Sequence, residues 1–301
     1  MILPLALLLD AALGEPDWLY RRVPHPAVLL GKTIHTLENR LNHGENRLLK
    51  GVLAVALLVA SALICGWLIA LVPDFGLLEV IVAAMLLAQR SLVEHVRAVS
   101  MALQDGGTPA GRAAVAQIVG RDTSNMDGPA IARAAIESGA ENLSDGVVAP
   151  ALWFAVGGLP AMLAYKAVNT ADSMIGHRNE RYRAFGWAAA RLDDLLNWIP
   201  ARVTAVLLIL TSAGWMHWHR VPADARHHAS PNAGWPEAAI APILDVSLGG
   251  PRSYDGNILN APWIHPEGRK DLGAADIARA CTILWRGWFG LVLLAIILAM
   301  L

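Results

Sequence analysis

Cysteine is nearly missing: only Cys65, inside an apolar run, and Cys281, near the C-terminus, occur in 301 residues. Neither belongs to a CxxC or other metal-spaced pair, which argues against a disulfide framework and a thiolate zinc site. Charge is also scarce, at 16% of residues with a net value of −1. Nucleic-acid binding needs a basic face, and this balance supplies none. The chain lacks GxxxxGK[ST], a GxGxxG after a strand, a GxSxG elbow and HExxH, so any use of ATP would proceed without a P-loop. It has no repeat of solenoid period and no low-complexity tract. Met1–Leu9 is apolar, but it has no basic flank or small-residue cleavage site and is too short to span.

What is present is apolar sequence: 55% hydrophobic residues and a mean hydropathy of +0.43. This predicts an all-α, polytopic integral membrane protein with about four to five transmembrane or re-entrant helices, joined by polar helical and loop segments. The chain reads as a single domain over 1–301, with spans near 51–72, 77–99, 147–168, 199–218 and 283–301. Gly51–Val72 carries no charge. Leu77–Gln89 is short for a span but can continue through Arg90 towards Met101, making a hairpin with the first. Val147–Val168 is interrupted by Pro150, Gly157-Gly158, Pro160 and Lys166, and such breaks are tolerated where a helix lines a cavity or is buried in protein. Ahead of these spans, prolines shape a loop over Asp10–Pro26, and Val28–Leu41 has the period of an amphipathic helix. Basic residues on both sides of the first hairpin place that side in the cytoplasm. Eleven tryptophans suit interfacial anchoring or flat ligand surfaces.

Against this background the stretch Glu137–Arg202 concentrates ionisable groups between apolar flanks. Charge near a bilayer is costly, so the cluster is a candidate site, with a solvated inter-span loop as the competing reading. Glu137 and Glu141 share a helix face and, with Asp145, form a hard-oxygen set suited to Mg²⁺; the alternative is that they stabilise a helix starting near Ser144. Asp193-Asp194 is a second carboxylate pair. Arg178, Arg181 and Arg183, beside Asn179, suit phosphate or carboxylate recognition, or equally lipid headgroups. His177 could act as a base, although a lone histidine is more often structural. His217, His219, His227 and His228 have no acidic partner at ligand spacing. The loops Ser230–Pro236 and Leu248–Pro251 read as ligand-contacting or packing loops rather than regular structure.

Taken together, the chain resembles the CbiB/CobD family. The resemblance rests on Asp10…Gly14-Glu15-Pro16, Pro24-His25-Pro26, Gln89-Arg90-Ser91-Leu92…Glu94-His95…Arg97 and Val119-Gly120-Arg121-Asp122-Thr123. It continues with Glu137-Ser138…Glu141-Asn142…Ser144-Asp145-Gly146, Asn169-Thr170…Asp172-Ser173-Met174 and Arg178-Asn179-Glu180-Arg181-Tyr182. Phe185-Gly186-Trp187…Arg191-Leu192-Asp193-Asp194…Asn197-Trp198-Ile199-Pro200-Ala201-Arg202, Ser230–Pro236 and Leu248–Pro251 complete it. Glu15 departs from the family's usual aspartate and Leu143 from an expected threonine. The resemblance implies an adenosylcobinamide-phosphate synthase of cobalamin biosynthesis, a ligase in the bacterial inner membrane. Such an enzyme joins adenosylcobyric acid to (R)-1-amino-2-propanol, or its O-phosphate, through an amide bond, with ATP and Mg²⁺.

The resemblance transfers no residue roles; these are expectations from the chemistry. Glu137, Glu141, Asp145, Asp172 and Asp194 are the candidate catalytic groups, with Glu141 and Asp145 as the candidate Mg²⁺ ligands. Arg178, Arg181 and Arg191, with Asn179, would hold phosphates. Asn142, Asn169, Asn197 and Asn232 could bond the corrin's amides, and Trp187, Trp198 and Trp235 could face the macrocycle. The expected partners are these two substrates and the lipid bilayer, with no nucleic acid. A homo-oligomer and association with other corrinoid-pathway membrane enzymes are both left open. The rival functions are an AmpE-like membrane sensor or regulator, and a corrinoid or anion transporter.

Overall fold

The computed structural model describes residues 1–254, 257–259 and 261–300. It is an all-α membrane protein. In chain order the helices are α1 (Ile2–Leu13), α2 (Asp17–Tyr20), α3 (Pro26–Leu41), α4 (Arg47–Ala70), α5 (Leu77–Leu86), α6 (Gln89–Val115), α7 (Gly128–Leu143), α8 (Ala149–Ile175), α9 (Trp187–Leu196), α10 (Trp198–Thr211), α11 (Val221–Ala225), α12 (Gly234–Leu244) and α13 (Ala274–Met300). A π-helical turn, Ser144–Val148, lies between α7 and α8. Four short strands precede α13: β1 (Leu248–Gly249), β2 (Arg252–Tyr254), β3 (Asn257–Leu259) and β4 (Trp263–Ile264). β1 pairs antiparallel with β4, and β2 with β3.

Among the described residues three helices are long and apolar enough to cross a membrane: Arg47–Ala70, the continuous run Gly128–Ile175 and Ala274–Met300; α9 with α10 makes a fourth if taken as one broken span. The expected spans near 51–72, 147–168 and 283–301 fall on these helices, the last residue of the third lying outside the described set. The expected span over 77–99 is corrected. α5 ends at Leu86 and Leu87 is extended (φ −84°, ψ 158°). At ~1.5 Å per residue, α5 alone is too short to cross. No proline or glycine marks the break, so nothing in the local composition signals it. The span expected over 199–218 also shortens, because α10 stops at Thr211.

The chain forms two compact units, each discontinuous in sequence. The first comprises Met1–Ala88, Ala149–Asn197 and the C-terminal stretch from Ala295. Here α4 buries Gly51, Ala54, Val55, Leu58, Ala62 and Gly66, a stripe recurring every three to four residues. Small residues let helix backbones approach closely in an apolar medium, where dispersion and not the hydrophobic effect holds helices together. A Cβ on Gly66 would lie 2.5 Å from the Cα of Pro160 on α8, and one on Gly51 would lie 1.9 Å from the Phe185 carbonyl oxygen. α8 breaks as expected at Gly157 and Gly158, the latter at φ 65° where glycine is favoured, just before Pro160. α3 begins at Pro26, with the His25 ring accepting from the Ala27 N–H at 3.1 Å as its N-cap.

The second unit comprises Gln89–Val148 and Trp198–Leu294. α7 starts in the manner its sequence predicts, with Asp127 Oδ1 accepting from the Ala130 N–H at 2.8 Å and Pro129 in the first turn. Gly139 on α7 faces Val96 of α6 and Leu284 of α13, while Gly287 of α13 faces Leu208 of α10 and Leu143. The Ser100 hydroxyl donates to the Ala274 carbonyl at 2.7 Å and ties α6 to the start of α13. The loop expected over Ser230–Pro236 leads into α12, which is buried along nearly its whole length. No helix begins at Ser144: α7 runs into the π-turn and on into α8, so the alternative of an N-terminal carboxylate set does not apply.

Candidate active site

The residues expected from sequence divide between the two units, and each set has its own geometry. In the first unit the centre is Asp193 on α9, not its neighbour. The Asn169 side-chain amide donates to Asp193 Oδ1 at 3.1 Å, and that of Asn197 donates to Oδ2 at 3.0 Å. The Tyr165 hydroxyl donates to Asn197 Oδ1 at 2.9 Å. Asn197 is 1% exposed and is engaged through both its amide nitrogen and its carbonyl oxygen, so it holds the Asp193 framework together. Trp153 Nε1 donates to the Leu196 carbonyl at 3.2 Å and closes the end of α9. Asp194 is more open and lies 3.8 Å from Arg191, with the charge of Arg178 also within electrostatic reach. Asp172 sits on the last turns of α8, where its carbonyl accepts from Gly176 N–H at 2.7 Å.

The loop 176–186 carries the arginines. It folds back onto α8 so closely that a Cβ on Gly186 would lie 1.7 Å from the Ile175 carbonyl oxygen. Asn179 shapes it from within: its Oδ1 accepts from the Tyr182 N–H, three residues on, at 3.0 Å, the pattern of an N-cap. Arg181 is an anchor. Its Nε and Nη2 both donate to Glu38 Oε1, at 2.9 and 2.8 Å, and Glu38 on α3 is 4% exposed. That carboxylate raises the Arg181 pKa above its already high value. The Arg181 carbonyl in turn accepts from Arg47 and from Asn42 Nδ2. Of the expected phosphate holders, Arg178 stands exposed on this loop, and so does Arg183. Glu38, Asn42 and Arg47 lie outside the stretch that sequence reasoning singled out. Trp187, at the start of α9, is exposed.

In the second unit Glu137 is a buried clip. Its Oε2 accepts from Arg121 Nη2 at 2.8 Å and its Oε1 from the Gly249 N–H at 2.7 Å. The side chains of Arg121 and Glu137 are 12% and 6% exposed. Both oxygens are therefore engaged, and Glu137 fastens the Arg121 loop and β1 to α7. One turn on, Glu141 is exposed, and Asp145 lies in the π-turn, half-buried. π-turns recur at functional sites because they re-aim side chains that regular helix would stack. Asn142 donates back to the Ser138 carbonyl at 2.9 Å, and the Ser138 hydroxyl donates to the Ile118 carbonyl at 2.7 Å. Asp122 is exposed; its carboxylate accepts from the Ser124 N–H at 2.9 Å, and this bond lowers its pKa. Among the described residues no group of three or more His, Cys, Asp or Glu side chains is placed to hold a metal ion.

The tryptophans have a partner that sequence reasoning missed. The Arg202 guanidinium lies 4.2 Å from the Trp198 ring centroid and 4.5 Å from that of Trp235. Trp218 lies beyond Trp235, with ring centroids 6.4 Å apart. One face of Trp198 and one of Trp235 are thus covered by a cation, not left flat for a ligand. The pairing of Trp198 with Arg202, four residues apart on a helix, was the available signal. Asn232 is 5% exposed at the start of α12, where Ser230 Oγ accepts from the Asn232 and Ala233 N–H groups, each at 3.2 Å. The Ser230 N–H donates to His228 Nδ1 at 3.0 Å. The proton of the neutral ring is then on Nε2, which faces Glu237 Oε1 at 3.6 Å.

This chain matches the family model described as CobD/Cbib protein over residues 3–284. It is 48% identical to the cobalamin biosynthesis protein CobD of Sinorhizobium sp, covering 94% of this chain and 95% of that one. It is 46% identical to the protein of the same name from Brucella suis, over 95% of this chain and 92% of the relative. The Rhodobacter capsulatus protein of that name is 45% identical, over 98% and 96%. No solved structure matches it. With a family match over nearly its whole length and relatives at this identity, the chain belongs to the CobD/Cbib protein family.

Proposed function

We propose that this protein acts in cobalamin biosynthesis as the ligase that joins adenosylcobyric acid to (R)-1-amino-2-propanol, or to its O-phosphate, at the expense of ATP. The observation that carries the reading is full-length identity of 45–48% to relatives named for cobalamin biosynthesis. The motif carboxylates and arginines support it over a sensor, which does not require them.

A carboxylate does not condense with an amine unaided in water. In the proposed route a corrinoid carboxylate oxygen attacks the terminal phosphorus of ATP, ADP leaves, and an acyl phosphate forms. The amine nitrogen then attacks the acyl carbon, inorganic phosphate leaves with the carboxylate oxygen, and the nitrogen loses a proton to a base. Each residue set takes the part its own chemistry suits. Arg178 and Arg191 hold anionic oxygens, and Arg181, tied to Glu38, keeps the loop of Arg178 in place. Asp172 and Asp194 orient the amine and accept its proton. Asp193 fixes Asn169 and Asn197, so that Asn169 keeps one orientation towards the corrin's amides.

Mg²⁺ fits Glu141 and Asp145 on the chemistry of the donor set: it takes one or two protein carboxylates and completes its shell with substrate phosphate and water. Those two residues would hold it, and it would neutralise charge developing on the transferred phosphoryl group. Glu137 is not part of that donor set, because Arg121 and Gly249 occupy its oxygens.

The test uses adenosylcobyric acid labelled with ¹⁸O in the reacting carboxylate. The proposal expects one ¹⁸O in inorganic phosphate for each amide formed. Label in AMP would replace the acyl phosphate by an acyl adenylate, and an absence of amide would remove the ligase reading.

A further inference from the structure

A further polar cluster lies in the second unit. Arg279 and Arg286 on α13 are two turns apart and share a face, ~10 Å from one another along the axis. They line a cavity of about 290 Å³ with Ser212, Ile243, Leu244 and Ile283. That is close to the lower end, roughly 300 Å³, of the range for ligand pockets.

The two arginines differ in their commitments. Arg279 pairs with Asp276 and donates to the Leu244 carbonyl at 3.2 Å. Arg286 has neither an ion-pair nor a hydrogen-bond partner among the described residues. The Ser212 hydroxyl, just after α10, is buried and also lacks a hydrogen-bond partner among them. Buried polar atoms are almost always satisfied, and a charge on a membrane helix is kept only with a counter-charge or a route to the interface. One cavity therefore holds an uncompensated cation and an unused hydroxyl.

Their depth identifies the missing partner. Arg286 is exposed and is the fourth residue of the apolar stretch that begins at Ile283, close enough to its start for a long side chain to reach a hydrocarbon boundary by snorkelling. Just beyond Ser212, Trp215 and Trp218 are exposed at the end of α10, as residues of an interfacial belt are. Lipid phosphate lies at that level. Ile243, Leu244 and Ile283 supply the apolar wall that a glycerol and the first acyl carbons require.

We propose that this cavity binds the phosphate group of an anionic phospholipid, with Arg286 supplying the charge and Ser212 a hydrogen bond. The test is native mass spectrometry of the full-length protein released from nanodiscs of equal phosphatidylglycerol and phosphatidylcholine. The wild type is expected to retain one phosphatidylglycerol. Retention should fall about fivefold in Arg286→Gln, the ~1 kcal/mol that one basic residue contributes near an anionic surface. It should fall roughly two- to tenfold in Ser212→Ala, which leaves all charge in place and so separates a built pocket from general attraction. Equal retention in both variants, or equal retention of phosphatidylcholine, overturns the proposal. Release of the lipid by excess inorganic phosphate shows a free-anion site and overturns the lipid assignment. If Arg286→Gln does not fold, Ser212→Ala decides.

Discussion

Glu137 on α7 accepts a hydrogen bond from the backbone of Gly249, 112 residues further on, at 2.7 Å. Its other oxygen holds Arg121 at 2.8 Å. Removing one member of a buried ion pair leaves the other charge uncompensated, at a cost of about 3–5 kcal/mol. Glu137→Ala and Arg121→Ala should therefore each lower the melting temperature sharply. The double variant should be less damaged than the sum of the two. Additive losses would show that the pair is not coupled.

Glu141 differs from Glu137 in exposure and in consequence. Glu141→Gln should insert and melt like the wild type while turnover falls by roughly 100-fold or more, the size expected when electrostatic support for phosphoryl transfer is lost. Near-normal amide formation in that variant would remove Glu141 from the site.

Asp193 accepts from two amides at once, so it tolerates no donor in its place. In Asp193→Asn one amide N–H₂ must face either Asn169 or Asn197, and an unmade bond to a buried polar group costs about 1–3 kcal/mol. Asp194→Asn keeps the network intact and should cost little stability. Thermal melts of the two variants check the contrast, and equal melts would place the centre of the network elsewhere.

Burial lowers the His25 pKa below 6.5 and Lys166 lowers it further, while Glu15 opposes them. A group whose folded pKa is depressed contributes stability that is present above its unfolded value and is lost as pH falls through the folded one. The His25 ring, neutral, caps α3 by accepting from Ala27; protonated, it loses that bond on Nδ1. The protection factor of the Ala27 amide should fall as pH drops through the His25 pKa, which lies below 6.5. His25→Ser, a cap without a titratable ring, should abolish the pH dependence. A dependence that persists in the serine variant would assign it to another group.

How far the sequence was legible follows from which physical signals are local. α4 is plain because no charge interrupts Gly51–Ala70, and the break in α8 is plain because Gly157, Gly158 and Pro160 cannot continue a regular helix. The end of α5 at Leu87 carries no such mark, and the π-turn at Ser144–Val148 is a matter of backbone register, which side-chain pattern does not report. Among site residues, the Glu137–Arg202 stretch stood out by its charge density. The division of labour was not: that Asp193 outranks Asp194, that Glu137 is a clip, and that Arg202 lies between Trp198 and Trp235 all depend on partners brought together by folding. Glu38, the anchor of Arg181, lies 143 residues away from it.

The central claim is that this chain makes an amide. The direct measurement incubates the purified protein in lipid nanodiscs with adenosylcobyric acid, aminopropanol phosphate, ATP and Mg²⁺, and follows products by mass spectrometry. The account predicts adenosylcobinamide phosphate formed in step with nucleotide release, and none when ATP, Mg²⁺ or the amine is omitted. A folded sample that binds the corrinoid and consumes no nucleotide would contradict it and leave a carrier or sensor in its place.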